Sequence, residues 1–286
     1  MILQADNYIK IVTFNLDFEE IEDLLIGKSF EGVTISLVID DSNSFKKMHL
    51  KNYGISVLDD STSKEFKGLV HSKFVIIDGK YVWFGSANIT ESSFFKDHNY
   101  AFISDDKKVV KTFEEEFRNF LNLKFHNSKK DFSDRESKVF FSPVHNISNE
   151  IVKVLSKAKE EVWVCMYAFT DFEIFNQLKI LSANGVRIRL ILDETWNLYN
   201  GFRYSVLEDG LDFFEMRLDP FGGLLHDKFI LIDPGRKNGL VCAGSYNLTL
   251  SADNSNDEFF VFFDSQNIVE KFREEFEKIW NNSKKF

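Results

Sequence analysis

The sequence predicts an α/β fold of two similar halves, each a mixed β-sheet flanked by helices. Three observations lead there. One motif-bearing block occurs twice, as HSKFVIIDGKYVWFGSANIT over 71–90 and HDKFILIDPGRKNGLVCAGSYNLT over 226–249. Strand-length apolar runs alternate with amphipathic helical stretches in each half. The repeat also extends outward: GVTISLVIDD (32–41) matches GVRIRLILDE (185–194), and VVKTFEEEFRNFLN (109–122) matches IVEKFREEFEKIWN (268–281).

The elements follow in order. KIVTF (10–14) opens the first half as a strand. Asp78-Gly79 predicts a tight hairpin turn before YVWFGS. FEEEFRNFL and FREEFEKIW carry Phe at i and i+4 and predict helices closing each half. The second half adds an opening that the first lacks. VFFSP (139–143) predicts a strand, and ISNEIVKVLSKAKE (147–160) a helix with Ile151, Val154, Leu155 and Ala158 on one face. VWVCMYAF and IRLILD are unbroken apolar runs, as expected of strands covered on both sides. The helix over 173–185 ends at Asn184-Gly185, a favourable C-terminal cap. The polar stretch 123–138 is the expected join, giving an N-terminal half over 1–130 and a C-terminal half over 131–286. Without the opening strand and helix, the first half is expected to leave a sheet edge open, where a partner could bind.

The bulk composition narrows the function. Of 286 residues, 44% are hydrophobic, enough for a substantial core, and Phe alone contributes 32. The net charge of −10 argues against a protein that coats duplex DNA by charge, although it permits a local phosphate-binding cleft. Cys165 and Cys242 lie in apolar runs and predict buried thiols rather than a metal site. The N-terminus shows no signal peptide pattern and no apolar stretch reaches the roughly 18 residues of a membrane span, so a cytoplasmic location is expected.

The chemistry resides in the repeated block. On a strand, His71 and Lys73 share one face, as do His226 and Lys228. An imidazole beside an ammonium on an otherwise aliphatic strand fits a bound anion. Asn88 and Asn247, each just after Gly-Ser, add neutral donors. Gly85 and Gly244 allow close backbone approach. Asp78 and Asp233 sit before turns and read as structural, bonding backbone. His49, His98, His126 and His145 occupy polar or loop contexts and read as surface residues. The segment 194–225, with Trp196, Tyr199, Tyr204, Phe213 and Phe214, is a candidate specificity element.

His71-Lys73-Asp78 and His226-Lys228-Asp233, each trailed by Gly-Ser-x-Asn, resemble the paired HKD motifs of the phospholipase D superfamily, over nearly the whole chain. That resemblance implies two phospholipase D-like halves packed about a pseudo-twofold axis, with both motifs meeting in one cleft. It implies a phosphodiesterase working through a phosphohistidine, without a cofactor or metal. One histidine attacks phosphorus and the other protonates the leaving oxygen. Lys73, Lys228, Asn88 and Asn247 would hold non-bridging oxygens, with Ser86 and Ser245 as minor contacts. An acidic residue downstream of each motif reaches across the axis to the opposite histidine in this superfamily. Here those positions are Glu258, facing His71, and Asn99, facing His226. The asymmetry favours His71 as nucleophile and His226 as acid.

The expected substrate is a phosphodiester. Single-stranded nucleic acid, and so a metal-independent nuclease, is the first choice. A phospholipid, cleaved or transferred, is the alternative, and an inactive phosphate-binding module a minor one. One chain carries both motifs, so a monomer suffices for activity, and an oligomer is not excluded.

Overall fold

The computed structural model describes residues 1–62, 68–126, 138–199, 209–220 and 222–286. The first half runs β1 (Tyr8–Thr13), β2 (Leu16–Asp17), α1 (Glu19–Phe30), β3 (Thr34–Ile39), α2 (Asp41–Ser44), β4 (Ser56–Leu58), β5 (Phe74–Ile77), β6 (Tyr81–Gly85), β7 (Ile89–Thr90), α3 (Glu91–Phe95), β8 (Ala101–Ser104) and α4 (Lys107–Leu121). The second runs β9 (Val139–Ser142), α5 (Ile147–Leu155), β10 (Glu161–Met166), α6 (Phe172–Ala183), β11 (Arg187–Asp193), α7 (Glu194–Tyr199), β12 (Glu215–Asp219), β13 (Lys228–Ile232), β14 (Leu240–Gly244), α8 (Leu250–Asn254), β15 (Glu258–Phe263), α9 (Gln266–Asn282) and β16 (Lys284–Lys285).

The sheet orders are β4-β3-β1-β5-β6-β8 and β16-β12-β11-β10-β13-β14-β15-β9. In each, three strands run parallel and the motif strand joins them antiparallel: β1 pairs β3 in parallel and β5 in antiparallel, as β10 pairs β11 and β13. Superposing these registers aligns Phe14 with Tyr167 and Asp40 with Asp193. The extra opening of the second half is β9 and α5; β9 adds to β15, whereas its equivalent β8 ends the first sheet. The predicted helix over 147–160 stops at Leu155, although Ala158 stays buried. The expected join lies mostly outside the described residues.

Alternation along the strands sends side chains to two faces. Ile9 and Ile11 pack outward under α1, while Val12, Phe74 and Phe84 pack inward with Phe113, Phe117 and Phe120 of α4. Trp163, Cys165 and Phe229 do likewise with Phe272 and Phe276 of α9. Phe141 and Phe259 of the second half join the α4 cluster, so much of the Phe content packs between the halves.

The motif aspartates tie each hairpin to the start of the central strand. Asp78 and Gly79 both take positive φ, 52° and 63°, as the central residues of a type I′ turn closed by Lys80 N donating to Ile77 O at 2.9 Å. The Asp78 carboxylate accepts from the backbone N–H of Asp6, Asn7 and Tyr8 at 2.8–2.9 Å. Asp233 accepts from Lys159, Glu160 and Glu161 at 2.8–3.2 Å. Because Asp233 is buried, Asp233→Ala strands these donors and is expected to cost about 2–4 kcal/mol, read as a lower urea midpoint at unchanged m.

Candidate active site

Both motif histidines stand where a motif strand begins, and the two rings face each other with centroids 6.5 Å apart. Each is held by the opposite half. His71 Nδ1 lies 2.8 Å from Glu258 Oε1, and His226 Nδ1 lies 3.0 Å from Asn99 Oδ1. Asn99 has its orientation set by two further bonds. Its amide nitrogen donates to Ser93 O at 3.2 Å, and its oxygen accepts from Ser86 Oγ at 2.9 Å. The oxygen therefore faces His226, which donates Nδ1–H to it. In both histidines Nδ1–H points to an acceptor and Nε2 is left for the cleft.

The backbone is gripped symmetrically as well. His71 N donates to Asp257 O, and His226 N to His98 O, each at 3.0 Å. Asp40 accepts from Val70 N and Asp193 from Leu225 N, both at 3.0 Å, so a buried carboxylate fixes the residue before each histidine. Gly85 and Gly244 are required for packing: a Cβ on either would sit 2.2 Å from a carbonyl of the neighbouring strand, Tyr100 O or Phe259 O. From the first half, Tyr100 OH donates to Lys228 O at 2.7 Å and accepts from Gly244 N at 2.7 Å.

Lys73 and Lys228 are fully buried, and each ammonium donates to the carbonyl of its own motif histidine, Lys228 at 2.8 Å. Asn88 and Asn247, each two residues past a motif serine, have side-chain oxygens that are buried and without a hydrogen-bond partner among the described residues. Phe14 packs edge-on to His71 at 5.4 Å and Tyr167 edge-on to His226 at 5.4 Å, with Trp196 beside Tyr167 at 6.1 Å.

Burial makes charge costly at this site. Burial, followed by Lys73 and Lys228, pushes the His71 imidazole well below its usual value, and burial with the same lysines does so for His226. Burial also pulls Lys228 down to about 7 and raises Glu258 to about 8. An anion bound here would supply countercharge and favour protonated lysines and a protonated His226.

Several expectations change. Ser86 and Ser245 have no exposed surface and lie beneath the site rather than in it. Ser86 supports Asn99, and Ser245 Oγ accepts from Phe259 N at 3.0 Å, beside Glu258. Their small hydroxyls accept from the buried backbone of Tyr100 and Phe259. Asn99, also a candidate substrate contact, keeps the expected place against His226. His126 is no surface residue: it is 1% exposed, with Nε2 3.0 Å from Asp60 and Nδ1 3.0 Å from Asp257. His98 and His145 are half-buried, and only His49 is exposed. Phe213 and Phe214 pack in the core of the second half, while Tyr204 and the Tyr199 side chain lie outside the described residues.

His126 joins Asp60 of one half to Asp257 of the other, and Asp257 O holds His71. Burial lowers its pKa, but Asp257 and Asp60 outweigh burial and push it up to about 9. A raised folded-state pKa stabilises fully below the unfolded value of about 6.5, and that stabilisation fades as pH rises through about 9. His126→Gln is therefore expected to lower Tm at pH 6, with the deficit against wild type shrinking by pH 10.

Asp40, Asp41 and Asp60 bring carboxylate oxygens within 4.8 Å of one another, the one such acidic group among the described residues. Asp40 is engaged by Val70 N and Ser42, and Asp60 by Asp41 N and His126, so their bonds serve the scaffold.

With this geometry in view, comparison places the chain. The family model described as "Cardiolipin synthase, PLD-like domain" matches residues 1–121 and 151–280. The chain belongs to this PLD-like family, within the phospholipase D superfamily of phosphodiesterases. "Phospholipase D" of Rickettsia typhi is 29% identical over 149 residues, 51% of this chain and 69% of that protein. "Mitochondrial cardiolipin hydrolase" of Canis lupus familiaris is 29% identical over 133 residues, 46% of this chain and 50% of that protein. The match thus spans only half the length of the latter. In fold, the chain is similar over 100% of its length to 83% of phosphatidylserine synthase from Haemophilus influenzae, with TM-score 0.73 and 14% identity. Among the described residues no helix is long and apolar enough to cross a membrane.

Proposed function

We propose that the chain is a metal-independent phosphodiesterase acting on single-stranded nucleic acid through a covalent intermediate on His71. One observation carries the substrate choice. The reacting histidines are nearly buried, with the His71 side chain 12% exposed and His226 7% exposed, between the half-buried rings of Phe14 and Tyr167. A single strand can bend one phosphate inward and lay bases on aromatic walls. A duplex cannot, and the net charge of −10 gives it little long-range attraction.

In the first step His71 Nε2 forms a bond to phosphorus as the bond to the leaving oxygen breaks. His226 Nε2 gives its proton to that oxygen. Positive charge develops on His71, and the Glu258 carboxyl facing Nδ1 stabilises it. In the second step neutral His226 takes a proton from water, the water oxygen bonds to phosphorus, and His71 is released. Lys73, Lys228, Asn88 and Asn247 hold the non-bridging oxygens throughout. Asn99 suits the acid role: an amide partner stabilises the imidazolium less than a carboxylate does, so His226 gives its proton up readily.

A second reading is favoured by a specific feature. Leu69 and Leu224, each two residues before a motif histidine, are 39% and 36% exposed, and Phe45 is 89% exposed. Such a rim suits phospholipid, the substrate class of the relatives' names. The two readings separate in one experiment. Wild type and His71→Ala are incubated in EDTA with labelled single-stranded DNA and RNA, and with phospholipid vesicles. Strand cleavage by wild type alone is expected. Headgroup release without strand cleavage would transfer the assignment to lipids.

A further inference from the structure

We infer that the outer face of the first sheet is a docking groove for an amphipathic helix of a protein partner, with basic residues along the helix's polar flank. The internal repeat carries this inference. In the second half, α5 packs beside α6 and β9, and its Ile147, Ile151 and Leu155 share one buried cluster with Ile230, Cys242 and Phe262 of β13, β14 and β15. The equivalent residues in the first half are Val75, Trp83 and Ile103. In place of a long helix, only the short turn at Ile2–Gln4 and Phe94 of α3, stacked on Trp83 at 6.3 Å, reach this face, and they leave Ile103 uncovered. Val75, Trp83 and Ile103 line an apolar groove of about 340 Å³ whose other walls are the N-terminal residues 1–3, Ile21 and Leu24 of α1, and Phe94 of α3. Ile103 is 64% exposed, against 7% for its counterpart Phe262. The adjoining edge is open in the same way: β8 ends its sheet, while its counterpart β15 takes β9.

Two features give the occupant's chemistry. In the second half, the start of α5 is anchored by charge: Ser148 N donates to Asp253 at 3.0 Å and Ser148 Oγ to Asp171 at 2.7 Å. The first half has Phe94 and Phe18 at those positions, with rings 5.6 Å apart. An occupant therefore meets aromatic carbon at that end and presents an apolar residue where α5 has Ser148. Along the side, exposed Glu20 and Asp23 flank Ile21 and Leu24 on α1, and exposed Glu91 begins α3. This acidic rim beside an apolar floor complements a helix with apolar residues at i, i+4 and i+8 and lysine or arginine on the flank. A bilayer with anionic headgroups would be repelled by the same rim.

The test uses the full chain and a fluorescein-labelled peptide of residues 146–159 carrying Ser148→Leu, whose lysines supply the basic flank. Anisotropy is expected to show saturable micromolar binding. Ile103→Glu should weaken it at least tenfold while leaving the far-UV spectrum and phosphodiesterase turnover unchanged. Glu20→Lys with Asp23→Lys should weaken it several-fold and flatten its salt dependence. Absence of saturable binding, or equal binding by Ile103→Glu, overturns the inference. So does concentration-dependent dimerisation abolished by Ile103→Glu, which assigns the face to a second copy. Phosphatidylcholine vesicle binding lost in Ile103→Glu overturns it as well and assigns the face to lipid.

Discussion

His226→Ala is expected to release p-nitrophenol from bis(p-nitrophenyl) phosphate in a burst of about one equivalent and then stall, whereas His71→Ala releases none. The difference follows from the roles. An activated phenol leaves without a protonated partner, so the first step survives loss of the acid. The second step still needs a base to activate water, so the phosphoryl group stays on His71. On an unactivated diester both steps need proton transfer. There His226→Ala should lose about 10²–10⁴-fold in turnover, and His71→Ala should be inert. Stopped-flow absorbance with active-site concentration known checks both. A burst from His71→Ala would reverse the roles.

Glu258→Gln should lower kcat about 10²–10³-fold with little change in KM, while raising Tm at neutral pH. The carboxylate acts when His71 becomes cationic, so its loss falls on the transition state. The opposite sign for stability comes from burial. Glu258 is fully buried, and burial raises its carboxyl to about 8. A folded-state pKa above the unfolded value means that the fold loses stability as pH rises from about 4.5 through about 8. Gln removes that titration, so its advantage in Tm should be absent at pH 4 and present at pH 8. The converse change, Asn99→Asp, places a carboxylate against His226 and stabilises its imidazolium. The descending limb of kcat against pH should move upward. Melting curves and pH–rate profiles of the two variants test the assignment together. A Gln variant that lost activity and stability in parallel would make Glu258 merely structural.

Much of the site was legible because the chain states it twice. The two histidine strands, the trailing asparagines and the positions of Glu258 and Asn99 follow from aligning one half on the other. The extra strand and helix of the second half, β9 and α5, are visible the same way. What stayed hidden depends on contacts between distant segments. Phe14 and Tyr167 are equivalent by strand register, yet VTFN and CMYA share little wording. Asp40 and Asp193 do stand in the repeated GVTISLVIDD block, and a buried acid at the end of an aliphatic run was the available signal. His126 follows a polar helix end, and nothing local shows that Asp60 and Asp257 enclose it. Ser86 and Ser245 sit beside functional asparagines, but only the packing of β8 and β15 shows them turned inward.

The central claim is covalent attack by His71, and trapping the intermediate tests it most directly. Wild type is mixed with substrate, quenched in alkali to preserve the phosphorus–nitrogen bond, digested, and mapped by mass spectrometry. The account predicts the substrate's phosphoryl group on the peptide carrying His71. Its appearance on His226, with His71 unmodified, would contradict it.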